Sequence, residues 1–372
     1  MKIKSIEPIA ISLPMVKPVI MAGEEVHTAE NVLVRIETDA GVVGWGEAAS
    51  APTMTGETVP SMMTAVYYLA PALEGREPAD LDGAHAAMDS RMYANHAAKA
   101  AIEIALLDLV GKATNKPVHA LLGEKKRERV PLLGVIGGGD LDGDLRDAAR
   151  KKAAGYTIFK IKVGVDTAAK DASRTRDICK LLGAGNVISA DANQGFHIDD
   201  ARDFVRAVSG CGLDFFEQPV MADDLDGMAM VAAAGDIAIA ADEGIHSLED
   251  IRRHHARRAA HGAGLKAIKL GGIRALMEAA RLCDTLGMSV NISCKTGESS
   301  IACAAALHVA AIIPAIAWGL TLTNLSLAQD VTAHPVQMDR GFSAVPDRPG
   351  LGIDVDEDRV RHHRNGATLQ MA

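Results

Sequence analysis

Apolar and polar residues alternate with the two-residue period of a half-buried strand over Ile3 to Leu13, Asn31 to Thr38 and Val42 to Glu47. The Asp39-Ala40-Gly41 turn between the last two predicts a hairpin. Over Ala97 to Val110 the period lengthens towards that of a helix, with Ile102, Ala105, Leu106 and Leu109 on one side. Strands followed by a run of helices predict a separate α+β unit over residues 1–125. From about Arg129 the pattern becomes repetitive. Short apolar segments at Val130–Val135, Ile158–Val163, Val187–Asp191, Phe215–Glu217, Ile237–Ala241, Leu265–Leu270, Met288–Cys294 and Ala315–Gly319 alternate with longer, Ala-rich helical ones. Several carry a polar residue at or near their end, at Lys162, Asp191, Glu217, Asp242 and Lys266, spaced 29, 26, 25 and 24 residues apart. One strand, helix and pair of turns takes about that length, and eight such units predict a closed parallel β/α barrel over residues 126–320. A doubly wound open sheet would need a phosphate loop after its first strand. Gly137-Gly138-Gly139 is followed instead by Asp140 and reads as a flexible loop.

The stretch Ile301 to Leu320 is apolar except at His308, but Pro314 divides it and no basic flank precedes it. A buried helix followed by a buried strand is expected, not a membrane span. Residues 321–372, with Pro335, Pro346 and Pro349, are expected to return and pack on the first domain. The 372-residue chain is 48% hydrophobic and 23% charged with a net charge of −9, which excludes global disorder and argues against nucleic-acid binding. Aromatics at 3% leave few stacking platforms for single strands. The five cysteines are loosely spaced with no CxxC pair, and the N-terminus lacks an apolar signal core. A reducing, cytoplasmic location is expected.

Chemistry in such a barrel gathers at the carboxyl ends of the strands. Three carboxylates there, Asp191, Glu217 and Asp242, would repel one another unless a cation joined them. Oxygen ligands without Cys or His point to Mg²⁺, or Mn²⁺, rather than zinc. One such acid alone would read as a helix cap; three at this cadence do not. Lys160 and Lys162 alternate with Phe159, Ile161 and Val163, so both lysines point into the barrel. Lysines buried together are expected to have depressed pKa values and to serve as neutral bases. Lys266 falls at the expected interval after Asp242, on the far side of the mouth from Lys162, and Lys269 is placed at or near the strand end. Two opposed bases across a metal-bound carboxylate suit abstraction of the proton α to it, giving an enediolate.

The motifs FKIKVG, SADANQG, FFEQP, AADEG and LKAIKLGGI, with LVGKATNKPVHALLG before them, resemble the enolase superfamily, muconate lactonizing enzyme subgroup. The resemblance covers most of the chain. It implies an α/β fold, a TIM-like (β/α)7β barrel with an N-terminal α+β capping domain. It implies Asp191, Glu217 and Asp242 as metal ligands, Lys162 and Lys266 as the acid/base pair, and Lys160 as a group that polarises the site. Asn193 and Glu243 match positions beside the ligands, and Glu298 matches an acid near the metal and substrate carboxylate. Lys295 stands where relatives often carry apolar residues and is a candidate for a second anionic group. Trp318 is a candidate pocket wall or cation–π face, and equally a candidate for the barrel core. Thr321 and Thr323 replace the Asp-x-Asp of dipeptide epimerases, which counts against that activity. His254, His255 and His261, in a basic stretch, are expected to be solvated. Loops around Val16 to Glu25 and Ser50 to Glu57, with Met21 and Met54, would close the pocket. The expected partner is a small-molecule carboxylate, with assembly into a homo-oligomer, as in relatives. Racemisation or epimerisation of an amino acid or related carboxylate comes first. Muconate-type cycloisomerisation and dehydration follow, and a Schiff-base lyase using Lys266 is the alternative from another class.

Overall fold

The computed structural model describes residues 1–21, 24–137 and 140–365. The chain opens with an antiparallel sheet in the order β1 (Ile3–Met21), β2 (Glu24–Thr38), β3 (Val43–Ala49). Ile9 faces Leu33, and Val34 faces Gly46, so the alternating apolar positions stay in register across all three strands. β1 runs beyond Leu13, where Pro14 and Pro18 interrupt the alternation and the register shifts between Pro14 and Val19. Four helices follow: α1 (Val59–Leu73), α2 (Leu81–Arg91), α3 (His96–Thr114) and α4 (Val118–Leu122). α3 is buried from Ala97 to Gly111, packed between the sheet and the rest of the molecule. Its contact with β3 requires glycine. A Cβ at Gly46 would stand 1.9 Å from the Ala101 carbonyl oxygen, and one at Gly44 2.2 Å from that of Ala105.

After β4 (Arg129–Pro131) the barrel strands are β5 (Leu133–Ile136), β6 (Ile158–Lys162), β7 (Val187–Asp191), β8 (Phe215–Glu217), β9 (Ala238–Ala241), β10 (Gly262–Leu265), β11 (Ser289–Ser293) and β12 (Leu320–Thr321). They pair in parallel in that order, and a bridge from Leu132 to Leu320 closes the ring. Between them lie α5 (Leu141–Ala153), α6 (Ala168–Leu182), α7 (Ile198–Ala207), α8 (Leu225–Ala232), α9 (Leu248–Ala256), α10 (Ala267–Leu270), α11 (Ile273–Thr285) and α12 (Ser300–Ile312). The chain ends with β13 (Phe342–Ala344), paired with β4, and α13 (Glu357–His363).

Three strand boundaries differ from the expected ones. The segment Leu265–Leu270 is strand only up to Leu265, and Ala267–Leu270 is a helical turn stopped by Gly271 at φ +89°. A short apolar run before glycine fits either state, and here the helix wins. The eighth strand lies at Leu320–Thr321, after the expected Ala315–Gly319, because Gly319 turns at φ +71° and only then joins β11. The first segment divides, with Arg129–Pro131 pairing outside the barrel. The apolar stretch from Ile301 is a helix whose every residue from Ser300 to Ile312 is buried. Among the described residues no helix is long and apolar enough to cross a membrane.

The last segment returns to the first sheet. Ala328 N donates to Pro14 O at 2.8 Å and Asn365 N to Ala10 O at 2.9 Å. The buried Asp108 of α3 ties three regions together, accepting from Trp45 N at 2.9 Å, Leu351 N at 2.8 Å and Lys112 Nζ at 2.6 Å.

Candidate active site

Parallel register aligns the chemistry. Lys162 of β6, Asp191 of β7 and Glu217 of β8 are Cα partners in one row across the ends of three neighbouring strands. Lys160, two residues earlier, points into the same interior one layer down. Its Nζ donates to Glu217 Oε1 at 2.6 Å and lies 3.6 Å from Asp191 Oδ2. The Lys162 ammonium donates to Asp191 Oδ2 at 2.7 Å and Asn193 Oδ1 at 2.5 Å. Asn193, at φ +42°, in turn donates from Nδ2 to Glu243 Oε1 at 3.0 Å. Asp242 follows β9 directly and is gripped from two sides. Lys266, just past β10, pairs with its Oδ2, and Lys269 of α10 donates to its Oδ1 at 2.5 Å and to Gly264 O at 2.9 Å. Lys269 is fully buried against this acid and supports it from behind. Gln218, not singled out in the sequence, orders the same turn by accepting from Asp242 N at 2.9 Å and Gly244 N at 3.2 Å.

The expected depression does not hold for Lys160, nor for Lys266 across the cavity. Burial lowers Lys160 and Lys266, but the surrounding carboxylates outweigh it. Glu217, Asp191 and Asp242 hold Lys160 above its ordinary value, and Asp242, Glu217 and Glu243 do the same for Lys266. Lys162 keeps 36% of its side chain exposed and is not deeply buried. Burial pushes Asp191 and Asp242 up, yet their lysines hold both below the usual carboxylate range. Glu217 is raised, by burial first, and Glu243 is pushed up to about 7 by burial and the charges of Asp242 and Asp191.

These groups open into a cavity of about 710 Å³ that Lys160, Lys162, Asp191, Asn193, Glu217, Asp242 and Lys266 line. Lys295, Thr321 and Thr323 line it as well, with Ser293 and Leu322 from the same strand ends. Val16, Lys17 and Met54 of the N-terminal unit face it from above. The Met21 side chain lies outside the described residues. Lys295 is 7% exposed, and burial with the nearby Lys266 and Lys162 lowers it to about 8. Glu298 is off the cavity lining. It is buried beneath Lys295, accepting from Lys295 N at 2.8 Å, and burial with neighbouring Glu47 pushes it to about 8.

Trp318 is no pocket wall. It stacks on Phe215 with ring centroids 3.9 Å apart and forms the barrel floor with Ala240. Gly262 makes room for it, since a Cβ there would lie 2.2 Å from the indole ring. Trp318 precedes β12 and stacks on the first residue of β8, so it lies at the amino end of the barrel, away from the chemistry. Of the three histidines, His254 is buried and bonded through Nδ1 to Asp250 O at 2.8 Å, contrary to expectation, because it falls on the inner stripe of α9. His255 and His261 are exposed.

Sequence reading missed Glu47. This buried β3 residue accepts from Ser299 N at 2.9 Å, Ser299 Oγ at 2.7 Å, Ala302 N at 3.1 Å and Asn31 Nδ2 at 2.8 Å. It caps the amino end of α12 from another domain, an arrangement with no local sequence signal.

The donor set suits a hard dication. Asp191, Glu217 and Asp242 offer only carboxylate oxygens, and Glu217 Oε2 is buried with no hydrogen-bond partner. With ammonium groups drawn in among them, the acids form no ready-made metal cage of three His, Cys, Asp or Glu groups among the described residues. A bound cation would satisfy the uncommitted Glu217 oxygen.

The chain is similar to known proteins over nearly its whole length. Residues 6–123 match the mandelate racemase / muconate lactonizing enzyme N-terminal domain, and residues 144–359 the enolase C-terminal domain-like family. The chain is 33% identical to the N-succinyl-L-Arg/Lys racemase of Bacillus cereus over 97% of both chains. It is 31% identical to a chloromuconate cycloisomerase of Cupriavidus necator over 99% of this chain and all of that one. The crystal structure of muconate lactonizing enzyme from Pseudomonas fluorescens complexed with muconolactone superposes with a TM-score of 0.93 at 30% identity, covering 98% of this chain and 99% of that one. Relatives of this kind are racemases, epimerases and cycloisomerases, and two domain matches together span nearly the whole sequence. The chain is an isomerase of the enolase superfamily and belongs to its muconate lactonizing enzyme subgroup.

Proposed function

We propose that this protein racemises or epimerises an N-acylated amino acid or a closely related carboxylate, by Mg²⁺-dependent transfer of the α-proton. The observation that carries the reading is the placement of two lysines. Lys162 ends β6 and Lys266 follows β10, four strands apart in a ring of eight, so they approach one cavity from opposite sides. A neutral lysine on one side takes the α-proton, and the ammonium on the other returns a proton to the opposite face. The product is the inverted centre, and the two lysines have exchanged protonation states. Asp191 and Asn193 orient Lys162, while Asp242 orients Lys266. Lys160, buried against Glu217 and Asp191, stays charged and strengthens the positive field beneath the substrate. Asp191, Glu217 and Asp242 would hold Mg²⁺, with Mn²⁺ a fitting substitute. When bound, the ion supplies positive charge for the substrate carboxylate and for the negative charge growing on its oxygens.

The lysine-rich wall disfavours a free ammonium on the substrate, and Thr321 and Thr323 provide no acid to receive one. Acylation removes that charge, and N-succinyl amino acids are the substrates named for the Bacillus cereus relative. Cycloisomerisation is the second reading, supported by the similarity to chloromuconate cycloisomerases, and it requires proton delivery from one lysine only. A Schiff-base role for Lys266 would leave the converging carboxylates Asp191, Glu217 and Asp242 without a use.

The test is proton NMR in D₂O with Mg²⁺ and each enantiomer of a set of N-acyl amino acids. Both enantiomers of a substrate lose the α-proton signal and interconvert. Lys162→Ala and Lys266→Ala each reduce racemisation by about 10³-fold, the usual scale for removing a general acid or base. Turnover of a substrate with no deuterium entering its α-carbon overturns the racemase reading.

A further inference from the structure

We propose that His96, from the N-terminal unit, is a positioning residue for the proton transfer: it holds the short helix α10 by the carbonyl of Lys269 and so fixes Lys266 and Asp242 at the barrel mouth. The inference rests on the proton-transfer reading above and goes beyond it, because it gives the N-terminal unit a part in setting one member of the lysine pair.

α10 is only Ala267–Leu270, with Lys266 before it and Gly271 and Gly272 after it. A single turn has too few internal bonds to be stable alone. Lys269 N donates to Lys266 O at 3.2 Å, and Gly271 N and Gly272 N donate to Ala267 O at 2.9 and 3.1 Å. The carbonyls of the last residues of a helix find no partner within it. His96 Nδ1 donates to one of these, Lys269 O, at 2.7 Å. The acceptor is a carbonyl, so this ring nitrogen carries the proton. The same ring lies against Gly271, where an added Cβ would stand 3.7 Å from it.

The turn carries two parts of the site. Lys266 at its start lines the cavity and pairs with Asp242 Oδ2. Lys269 is held by His96 at its backbone and by Asp242 Oδ1 and Gly264 O at its ammonium. A swing of this turn would shift both the lysine that exchanges the α-proton and the acid that orients it. Misplacement by about 1 Å is enough to cost about 10²-fold in rate.

His96 is itself firmly mounted. It opens α3, where the buried Glu57 accepts from Ala97 N at 2.9 Å and Ala98 N at 3.2 Å. Ala94 and Asn95 before it sit at φ +52° and +54°, a left-handed pair that side chains with a Cβ adopt only where the surroundings enforce it. Further along the same helix the buried Glu103 accepts from Arg274 N at 3.0 Å, at the start of α11. α3 therefore grips the chain on both sides of the Gly271-Gly272 pair.

Amide hydrogen exchange of the full chain in Mg²⁺, read by mass spectrometry on the peptide covering 265–272, tests the grip directly. His96→Ala speeds exchange there about tenfold, the scale of one lost buried hydrogen bond, and leaves peptides of β7 and β8 unchanged. His96→Asn, whose amide places an N–H near the position of Nδ1, keeps most of the protection. Unchanged protection in His96→Ala, or equal loss in both variants, overturns the proposal. The catalytic consequence is read as deuterium entering the α-carbon of each enantiomer of a substrate before it inverts. Lys266→Ala identifies the enantiomer served by Lys266, and His96→Ala slows exchange into that one about tenfold more than into the other. An equal loss for both enantiomers marks general damage and overturns the assignment. A parent protein that exchanges no α-proton removes the racemase reading alone, since protection of α10 still decides whether His96 holds the turn.

Discussion

Glu298→Gln offers a stringent check on the buried electrostatics behind the cavity. Glu298 is 4% exposed and is pushed up to about 8, by burial first and then by Glu47. In the unfolded chain the same carboxyl titrates near its ordinary 4.5. Between those two values the folded chain keeps a proton that the unfolded chain has released, so stability falls as pH rises and levels off above about 8. Each retained proton corresponds to about 1.4 kcal/mol per pH unit, so between pH 6 and 8 the Glu298 share is about 2 kcal/mol. Glu47 and Glu243, both raised to about 7, act in the same direction but level off a unit earlier. His308 is lowered to about 3 by burial, and its opposing contribution ends near its ordinary 6.5. Lys295, lowered to about 8, raises stability only as the pH approaches and passes that value. Subtracting the variant from the parent cancels the Glu243 and His308 contributions and leaves that of Glu298 together with its coupling to Glu47 and Lys295. Gln keeps an oxygen to accept from Lys295 N, so the loop is retained. Melting temperatures are measured from pH 6 to 8 in EDTA at constant ionic strength. The variant gains about 2 kcal/mol on the parent across that range, roughly 2.5 °C for a chain of this size. Two curves that run parallel from pH 6 to 8 refute the burial argument.

Gly46→Ala places a methyl group against the backbone of α3 and cannot be absorbed by a side-chain movement. It is expected to cost about 1–3 kcal/mol or more, read as a lower denaturant midpoint. Removal of divalent cations with EDTA should abolish α-proton exchange and Mg²⁺ should restore it. Exchange that survives chelation removes the metal from the proposed chemistry.

The site was legible where charged residues recurred at strand ends, 24 to 29 residues apart. Parallel strands fix a common register, so the distance from Lys162 to Asp191 to Glu217 in sequence translated directly into a row in space. Lys266 was found by the same cadence although its strand had already ended. Boundaries were less legible where an apolar run met a glycine, as at Leu265–Leu270, because burial on all sides removes the period that separates helix from strand. The direction of the lysine shifts was misjudged since it depends on which opposing charge lies closer than solvent, a distance no sequence carries. Sequence leaves Trp318 open between pocket wall and barrel core because the two ends of a barrel strand are equally apolar and only register tells floor from mouth.

The grip of Glu47 on the start of α12 has an evolutionary corollary. The loop that bears Lys295 runs directly into that helix, so this edge of the cavity takes its footing from the cap. Cap and loop must therefore diverge together. A chimera that imports a foreign cap keeps its selectivity only if an acid arrives at the position of Glu47.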